Sequence, residues 1–489
     1  MNLDTLVLPT DTRPVDALIK AGEIDAPADH YLYPPVSQPM KVARRLVGDL
    51  FTTIDGYLLL HYWRGDWWIY NGTHWEEAED YDVREPLWVH LEEVTYTKKA
   101  DEEAPWDPSS DKLNKLMEPL AIKTRLPTDL DAPFWATTKQ RSSTVVSMNN
   151  GLFNFHTNQL EPHNPDFFTD WSLPFDYDPE ATCPTWEAFL GDIFSHDPAG
   201  HHLIQEFFAY GLSGRTDLHK ALLLQGPPRS GKGTISRTFK QIMGVDNVVS
   251  PSLHSLGSEF GLAELIGKPL AIIEDGRADD IRRDSSAVEK ILNIVGEDAV
   301  SINRKNRDYW NGTLPTRIML VSNEIPRFLD ASGAITNRFM SVKLEKSYEE
   351  NPDTTLGARI NQELPGIFNW ALEGMTRLNE TNKFTRPATM TAMQDTMKDL
   401  ASPLQIFVDE YYTITGDDDD VLALKEVSSQ YRAWCESEGR NSVNQETLRQ
   451  RLEALNPKIT VKNTRVDGRK NRWVFGLQPL ALRDFSTQS

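Results

Sequence analysis

A short stretch near the middle of the chain constrains its fold most: Gln225-Gly226-Pro227-Pro228-Arg229-Ser230-Gly231-Lys232-Gly233-Thr234. Gly226 and Gly231, the second followed by lysine, have the spacing of a loop whose backbone N–H groups surround phosphate. The apolar run at 221–224 predicts a buried parallel strand before the loop, and 235–243 predicts a helix that ends near Gly244. This order predicts an α/β domain that binds the phosphates of a nucleotide at a helix N-terminus.

The loop departs from the commonest motif at one position. Gly233 follows the lysine, and the hydroxyl side chain comes one residue later, at Thr234. Some nucleotide kinases share this order, so a nucleotide or small-molecule kinase is an alternative interpretation. We expect the residues of 226–234 to contact the nucleotide, with the Lys232 side chain facing solvent beside the terminal phosphates.

Two further apolar runs end in polar side chains. The run at 270–273 is followed by Glu274-Asp275, and the run at 318–321 is followed by Ser322-Asn323. Parallel strands ending at one edge would bring these side chains beside the phosphate loop, where a nucleotide-bound Mg²⁺ needs a carboxylate. The amide of Asn323 would orient the water that attacks the terminal phosphate.

Basic side chains stand between and after these runs. Arg304, Lys305 and Arg307 precede an Asn311-Gly312 pair, which predicts a hairpin that carries positive charge outward. An ordinary exposed hairpin is the alternative. Arg338 comes just before a strand pattern, where an arginine can reach the phosphate of a neighbouring subunit or form a surface ion pair.

Composition excludes several classes of protein. The net charge of −21 argues against a chain that coats nucleic acid with its whole surface. The two cysteines are too few for a disulfide framework or a zinc cluster, which favours a reducing compartment such as the cytoplasm. No apolar run reaches the ~20 residues that cross a bilayer, so we expect no membrane partner.

The chain divides into four predicted regions: an N-terminal arm over 1–38, an α+β domain over 39–190, the α/β domain of the phosphate loop over 191–395, and a compact unit over 400–489. In the second region, the aromatic residues around Asn71-Gly72 predict a β-hairpin closed by a two-residue type I′ turn. In the third, alternating helix and strand patterns predict a parallel sheet.

One segment of the last region reverses the charge of the chain. From Arg440 to Arg472, nine Lys and Arg residues oppose three Asp and Glu residues, which leaves a net charge of +6. Two helix patterns at 427–439 and 445–455, followed by two strand patterns, suggest a winged helix. The candidate DNA contacts are Arg449, Arg451, Arg465, Arg469 and Lys470. A basic module that docks on another subunit is the alternative.

Taken in order, these motifs resemble the superfamily 3 helicases of the AAA+ class. More specifically, the chain is similar to the helicase part of the phage and plasmid primase–helicase family, to which poxvirus primase–helicases are related. The similar segments extend over most of the chain and include Val146-Ser147-Met148-Asn149-Asn150-Gly151, the phosphate loop, Asp275-Gly276-Arg277, Ser322-Asn323-Glu324 and Glu363-Leu364-Pro365-Gly366.

The resemblance implies an ATP hydrolase whose AAA+ domain follows a helicase-associated domain and precedes a winged helix. It implies these roles: Lys232 and Thr234 contact the triphosphate and Mg²⁺, Asp275 holds the metal with Glu274 as the second acid, Asn323 is the sensor, Arg338 is the arginine finger, and Lys305 contacts DNA. The acid pair reads Glu-Asp rather than Asp-Glu, so the identity of the general base stays open.

The resemblance also implies partners. We expect a homo-oligomeric ring, a hexamer, with single-stranded DNA in its channel and duplex or forked DNA on its C-terminal domain. The upstream primase domain of many family members has no counterpart, so we expect a separate primase or polymerase. Such a protein would replicate a phage, prophage or plasmid-like element in a bacterial cytoplasm. The remaining alternative is a non-motor DNA-binding ATPase that loads replication proteins.

Overall fold

A computed structural model describes residues 11–98, 102–142, 144–274, 285–305, 307–326, 328, 334–350, 353–401, 403–437, 442–466 and 468–480. The first part of the chain contains four helices and ten short strands in the described residues: α1 Val15–Lys20, α2 Pro39–Leu50, β1 Leu60–Trp63, β2 Asp66–Tyr70, β3 Trp75–Ala78, α3 Asp80–Glu93, β4 Thr95–Thr97, β5 Glu103–Pro105, α4 Ser110–Thr124, β6 Phe134–Trp135, β7 Val145–Met148, β8 Gly151–Asn154, β9 Gln159–Glu161 and β10 Phe167–Phe168.

Residues 11–38, within the segment predicted to be an N-terminal arm, pack against this first domain; residues 1–10 lie outside the described residues. The N–H of Val15 donates to the carbonyl of Thr52 at 3.0 Å. Asp16 is buried and contacts Lys20, His30 and His90 at 3.2 to 3.4 Å. Burial opposes ionisation of Asp16, but hydrogen bonds from His90, His30 and Lys20 outweigh it and lower its pKa to about 2. Composition and weak periodicity could not reveal this buried polar contact.

The aromatic hairpin is confirmed, but its turn differs from the prediction. Strands β2 and β3 pair antiparallel, with Tyr70 opposite Trp75, so the loop is the four-residue segment 71–74 rather than a two-residue turn. The side chain of Asn71 accepts hydrogen bonds from the N–H groups of Thr73 and His74, both at 2.9 Å. These bonds stabilise the longer loop and explain why asparagine is placed there.

The central part of the chain forms an α/β domain. Its elements are α5 Pro184–Ile193, α6 Pro198–Leu212, β11 Ala221–Gln225, α7 Lys232–Met243, β12 Val248–Val249, α8 Leu253–Gly257, β13 Leu270–Glu274, α9 Ser285–Gly296, β14 Val300–Arg304, β15 Arg307–Gly312, β16 Arg317–Ser322, α10 Ala334–Arg338, β17 Phe339–Lys343, α11 Leu356–Asn361, α12 Leu364–Thr381 and α13 Ala388–Ala401. Two single 3₁₀ turns, Val245–Asn247 and Ala263–Leu265, interrupt the connections.

The predicted parallel sheet is confirmed. Five strands lie in the order β12-β13-β16-β11-β17, and each neighbouring pair is parallel. Leu222 and Leu224 join the core on one face of the sheet, and Leu223 joins the core on the other. A leucine buried in this way contributes roughly 1.5–3 kcal/mol. Because both faces of the sheet are covered by the core, polar functional side chains can reach solvent at the ends of the strands.

The C-terminal part contains α14 Pro403–Tyr411, β18 Tyr412–Ile414, β19 Val421–Ala423, α15 Leu424–Ser437, α16 Gln445–Leu455, β20 Thr460–Val466, β21 Arg469–Phe475 and β22 Leu477–Pro479. The two predicted helices and the predicted hairpin are therefore confirmed. Strands β19, β21 and β20 form one small sheet, and a separate core surrounds Phe407, Tyr431 and Trp434.

Within the described residues, no helix combines the length and the apolar character needed to cross a bilayer. Both cysteines, Cys183 and Cys435, are buried.

Candidate nucleotide site and basic surfaces

The phosphate loop leaves the carboxyl end of β11 and enters α7, as the sequence predicts. A Cβ atom at Gly226 would lie 2.5 Å from the carbonyl oxygen of Leu344, so the close approach of this residue, directly after β17, requires glycine there. Gly231 caps α7 with a φ of 98°, a conformation that side chains disfavour. These two glycines allow the loop to curl around the N-terminus of α7.

The side chain of Lys232 is buried, which corrects the expectation that it faces solvent. It is 7% exposed, and its Nζ donates to the carbonyl oxygens of Gly226 and Pro227, both at 2.7 Å. Burial lowers the pKa of this amine. The lysine therefore holds the loop in its curled shape, with its amine at the centre of the loop.

Polar residues from the strand ends lie beside the loop. Strand β16 separates β11 from β13, and Gln225 lies opposite Ser322 while Glu274 lies opposite Val321. Adjacent strands are about 4.8 Å apart, so Glu274 stands roughly 10 Å from the loop strand, leaving room for phosphate groups. The amide of Asn323 is exposed at the same edge.

A cavity of about 280 Å³ lies between these groups. Its walls are Pro228, Arg229, Ser230, Gly231, Lys232, Gly233, Ser236, Arg237, Glu274, Val321, Ser322 and Asn323. Ser236 is 1% exposed, and its hydroxyl has two acceptors for its one hydrogen: Glu274 Oε1 at 3.4 Å and the carbonyl oxygen of Gly233 at 3.3 Å. Ser236 thus connects the phosphate helix to the acidic strand end.

A second cavity, of about 870 Å³, adjoins the loop on the other side. It is lined by Pro184, Thr185, Ala188, Phe189, Asp192, Arg229, Gly231, Gly233, Thr234, Arg237, Tyr348, Asp353, Leu356 and Arg359. Thr234 lies on this wall, whereas Glu274 lies on the wall of the smaller cavity. Asp192 accepts hydrogen bonds from Tyr348 and Lys346, which lower the pKa of its carboxyl.

The predicted metal ligand Asp275 lies outside the described residues. Among those described, Glu274 is the carboxylate that lines the smaller cavity. The described part of the chain contains no cluster of three or more His, Cys, Asp or Glu side chains suited to a metal. Mg²⁺ bound to a nucleotide is commonly held by one or two carboxylates, phosphates and water, so a single carboxylate fits that ion.

Arg338 lies at the opposite edge of the sheet from the phosphate loop. It precedes Phe339, which pairs with Ala221 at the amino end of β11, whereas the loop follows the carboxyl end. The strand between them spans roughly 13–17 Å at about 3.3 Å per residue. Arg338 therefore cannot contact a phosphate held by its own loop.

The predicted basic hairpin is confirmed as β14 and β15, and it packs on the first domain. Arg307 Nη1 lies 2.8 Å from Glu77 Oε1, and Arg304 Nη1 lies 3.8 Å from Asp66 Oδ2. Lys305, at the turn, is exposed and makes no ion pair with any described residue. Two of the three basic residues of the hairpin, Arg304 and Arg307, thus contact acids, which leaves Lys305 as the candidate DNA contact among them.

The basic residues of the C-terminal part differ in the same way. Arg449 contacts Glu446 and Glu453, at 2.8 and 2.6 Å. The other four predicted DNA contacts are exposed and have no ion pair within the described residues: Arg451, Arg465, Arg469 and Lys470. Arg465 lies opposite Lys470 across the hairpin of β20 and β21, so positive charge concentrates at its tip.

Sequence reasoning missed three residues of these surfaces: Ser236, Arg237 and Tyr309. Helical periodicity could have found the first two, because residues four apart share a helix face: Ser236 follows Lys232 by four positions, and Arg237 follows Gly233 by four. Tyr309 is 61% exposed on the β15 strand of the basic hairpin. Its neighbour Trp310 is buried, so alternation along the strand could have predicted that Tyr309 is exposed.

Comparison with known proteins gives two family matches. Residues 58–195 match the D5_N family, described as D5 N terminal like, and residues 224–338 match DUF5906, a family of unknown function.

Among solved structures, the chain is similar to the NrS-1 C terminal region. The apo structure of its segment 305-718 is 16% identical at a TM-score of 0.41, covering 63% of this chain and 77% of that one. Two A form apo structures are 13% and 12% identical at TM-scores of 0.45 and 0.46. They cover 85% and 90% of this chain and 95% and 99% of their own. Similarity at this level carries no argument about function.

Proposed function

We propose that this chain is an ATP-driven, ring-forming DNA helicase of the AAA+ class. The observation that carries the proposal is the division of charged groups between the two edges of the sheet. The phosphate loop, Glu274 and Asn323 meet at the carboxyl edge, and Arg338 lies at the amino edge. This arrangement suits a nucleotide site that lies mainly in one subunit and is completed by Arg338 of the next subunit. A nucleotide or small-molecule kinase would have no use for Arg338 in that position.

The two cavities suit the two parts of ATP. The smaller is lined by the loop, Lys232 and Glu274, which suits phosphates. The larger offers Phe189 and Leu356 as apolar surface for a base, and its volume is in the range of small-molecule sites. In this pose Lys232 would exchange its loop carbonyls for phosphate oxygens, and Asn323 would hold a water for attack.

Bound Mg²⁺ would neutralise charge on the phosphates and help orient them. Thr234 and Asp275 remain its proposed ligands. The contact between Ser236 and Glu274 supports a role for Glu274 beside the metal, because the hydroxyl fixes one carboxylate oxygen and leaves the other to act on water.

Two DNA surfaces are proposed. Lys305 and Tyr309, on the exposed side of the β14–β15 hairpin, would contact a single strand in the ring channel by charge and by base stacking. The C-terminal part would act as a winged helix, with α16 and the tip of the β20–β21 hairpin on duplex or forked DNA. Arg451, Arg465, Arg469 and Lys470 would supply charge there, and Arg449 would contribute less because two carboxylates hold it.

A role in replicating a phage, prophage or plasmid-like element follows from the motif resemblance to primase–helicases. A separate primase or polymerase and a hexameric ring are proposed on the same ground. The direct test is unwinding of a forked DNA duplex with ATP and Mg²⁺. Strand separation is expected; ATP-dependent assembly on DNA without separation would favour a loading ATPase instead.

The first prediction concerns Glu274. Glu274→Gln should leave ATP affinity within a few-fold of wild type and reduce turnover on the order of a hundredfold, because the amide keeps the shape but cannot accept a proton. Binding and turnover are measured separately. Glu264→Gln, an exposed carboxylate change elsewhere in the domain, serves as the control. Normal turnover in Glu274→Gln would transfer the role to Asp275.

The second prediction concerns Lys305. Lys305→Ala should keep basal ATP turnover but lose stimulation by single-stranded DNA, and should flatten the dependence of DNA affinity on salt. The effect repeats in each subunit of a ring, so a modest loss per site multiplies. Lys123→Ala, an exposed lysine without an ion pair in the described residues, is the matched control. Equal salt slopes for Lys305→Ala and wild type would remove the hairpin from the DNA path.

A further inference from the structure

Helix α7 carries an arginine directly over the phosphate loop. If Gly233 had a Cβ atom, it would lie 2.9 Å from Nη1 of Arg237, and its next two neighbours would be Cζ at 3.5 Å and Nη2 at 3.6 Å. All three nearest atoms belong to one guanidinium. Gly233 is therefore the residue that makes room for this group, in the position directly after the loop lysine.

Arg237 also stands where the two cavities meet. It lines the smaller cavity with Lys232 and Glu274, and it lines the larger one with Phe189 and Leu356. A nucleotide with its base in one and its terminal phosphates in the other would have to pass its inner phosphates through this junction.

The charge at the junction calls for an anion. Arg237 is exposed and has no ion pair or side-chain hydrogen bond within the described residues. Arg229 and Lys232 line the smaller cavity with it, whereas Glu274 is the cavity's one carboxylate among the described residues. Three cations against one acid, in a chain of net charge −21, form a local site for a polyphosphate.

From this geometry we propose that Arg237 is a phosphate-binding residue, which donates through its guanidinium to the phosphates next to the nucleoside. The inference rests on the proposed function only in that the loop binds ATP. Guanidinium groups bind phosphate with two parallel hydrogen bonds, which makes arginine a stronger and more directional donor than a single hydroxyl. The absence of a side chain at Gly233 is then required, because a serine or threonine there would displace the guanidinium of Arg237.

The test is calorimetric titration of the full chain with ATP, ADP and adenosine in the presence of Mg²⁺. Arg237→Ala should weaken ATP and ADP alike, by roughly tenfold to a hundredfold, the range expected for loss of a charge-assisted hydrogen bond. Adenosine affinity should not change. Lys240→Ala, a lysine at the other end of α7, should behave as wild type.

A second variant separates the guanidinium from the glycine. Gly233→Ala should weaken ATP in the wild-type background, because its methyl group displaces a flexible side chain without breaking the fold. In the Arg237→Ala background, Gly233→Ala should not weaken ATP binding further, since no guanidinium remains to be displaced.

Three results would overturn the proposal: ATP and ADP affinities of Arg237→Ala equal to those of Lys240→Ala, a loss confined to ATP, or an equal cost of Gly233→Ala in both backgrounds. A different result would contradict the proposed function itself: neither the wild type nor Lys240→Ala would bind ATP.

Discussion

Lys232→Met should lose ATP turnover by on the order of a hundredfold to a thousandfold while the protein stays folded. The methionine keeps most of the aliphatic volume of a side chain that is only 7% exposed, and it removes the amine at the centre of the loop. Alanine is the poorer choice, because it would also leave a space beneath the carbonyls of Gly226 and Pro227. Turnover, ATP affinity and the thermal midpoint are measured on the same preparation.

Lys240→Met provides the control, since it removes an amine from the same helix far from the loop. A thermal midpoint within a few degrees of wild type would exclude unfolding as the cause. Turnover in Lys232→Met close to that of Lys240→Met would mean that the buried amine only supports the loop and does not act on phosphate.

Arg338→Ala should reduce turnover by on the order of a thousandfold or more, the range for an arginine that stabilises phosphoryl transfer from a neighbouring subunit. Its place at the amino edge of the sheet excludes action on its own nucleotide, so ATP affinity of the separate subunit should change little. Arg44→Ala, an exposed arginine of the first domain, should turn over ATP as wild type does.

Mixing distinguishes action between subunits from a structural role. Rings that combine Arg338→Ala with Lys232→Met subunits contain some interfaces with an intact loop and an intact arginine. Those interfaces should restore part of the activity. If subunits are shown to exchange and no mixing ratio restores turnover, action in trans is contradicted.

The order of elements in the α/β domain could be predicted because it is local. Apolar runs before Gly226, Glu274 and Asn323 identify three strands, and the parallel arrangement follows from the helices between them. Strand order could not be predicted, because the insertion of β16 between β11 and β13 is set by packing over long sequence separations. The packing of residues 11–38 on the first domain was missed for the same reason.

In the candidate site, the motif predicted which residues form the loop but not the direction in which their side chains point. Lys232 was expected in solvent, yet the curled loop supplies two carbonyls that bury its amine. Thr234 and Ser236 both carry hydroxyls near the lysine, and only helical phase places the second beside Glu274. The three basic side chains of the β14–β15 hairpin cannot be told apart from the sequence. In the structure, Arg304 and Arg307 pair with acidic residues of a distant segment, whereas Lys305 has no ion pair with a described residue.

The central claim is that the nucleotide site drives movement on DNA, and one measurement tests it most directly: the rate of ATP hydrolysis by the full chain with and without single-stranded DNA. We predict that the rate of hydrolysis rises several-fold with DNA. We also predict that the rate per subunit falls on dilution, because Arg338 completes the site of a neighbouring subunit. A rate that is unaffected by DNA and proportional to protein at every dilution would contradict the account and would favour a kinase acting as a single subunit.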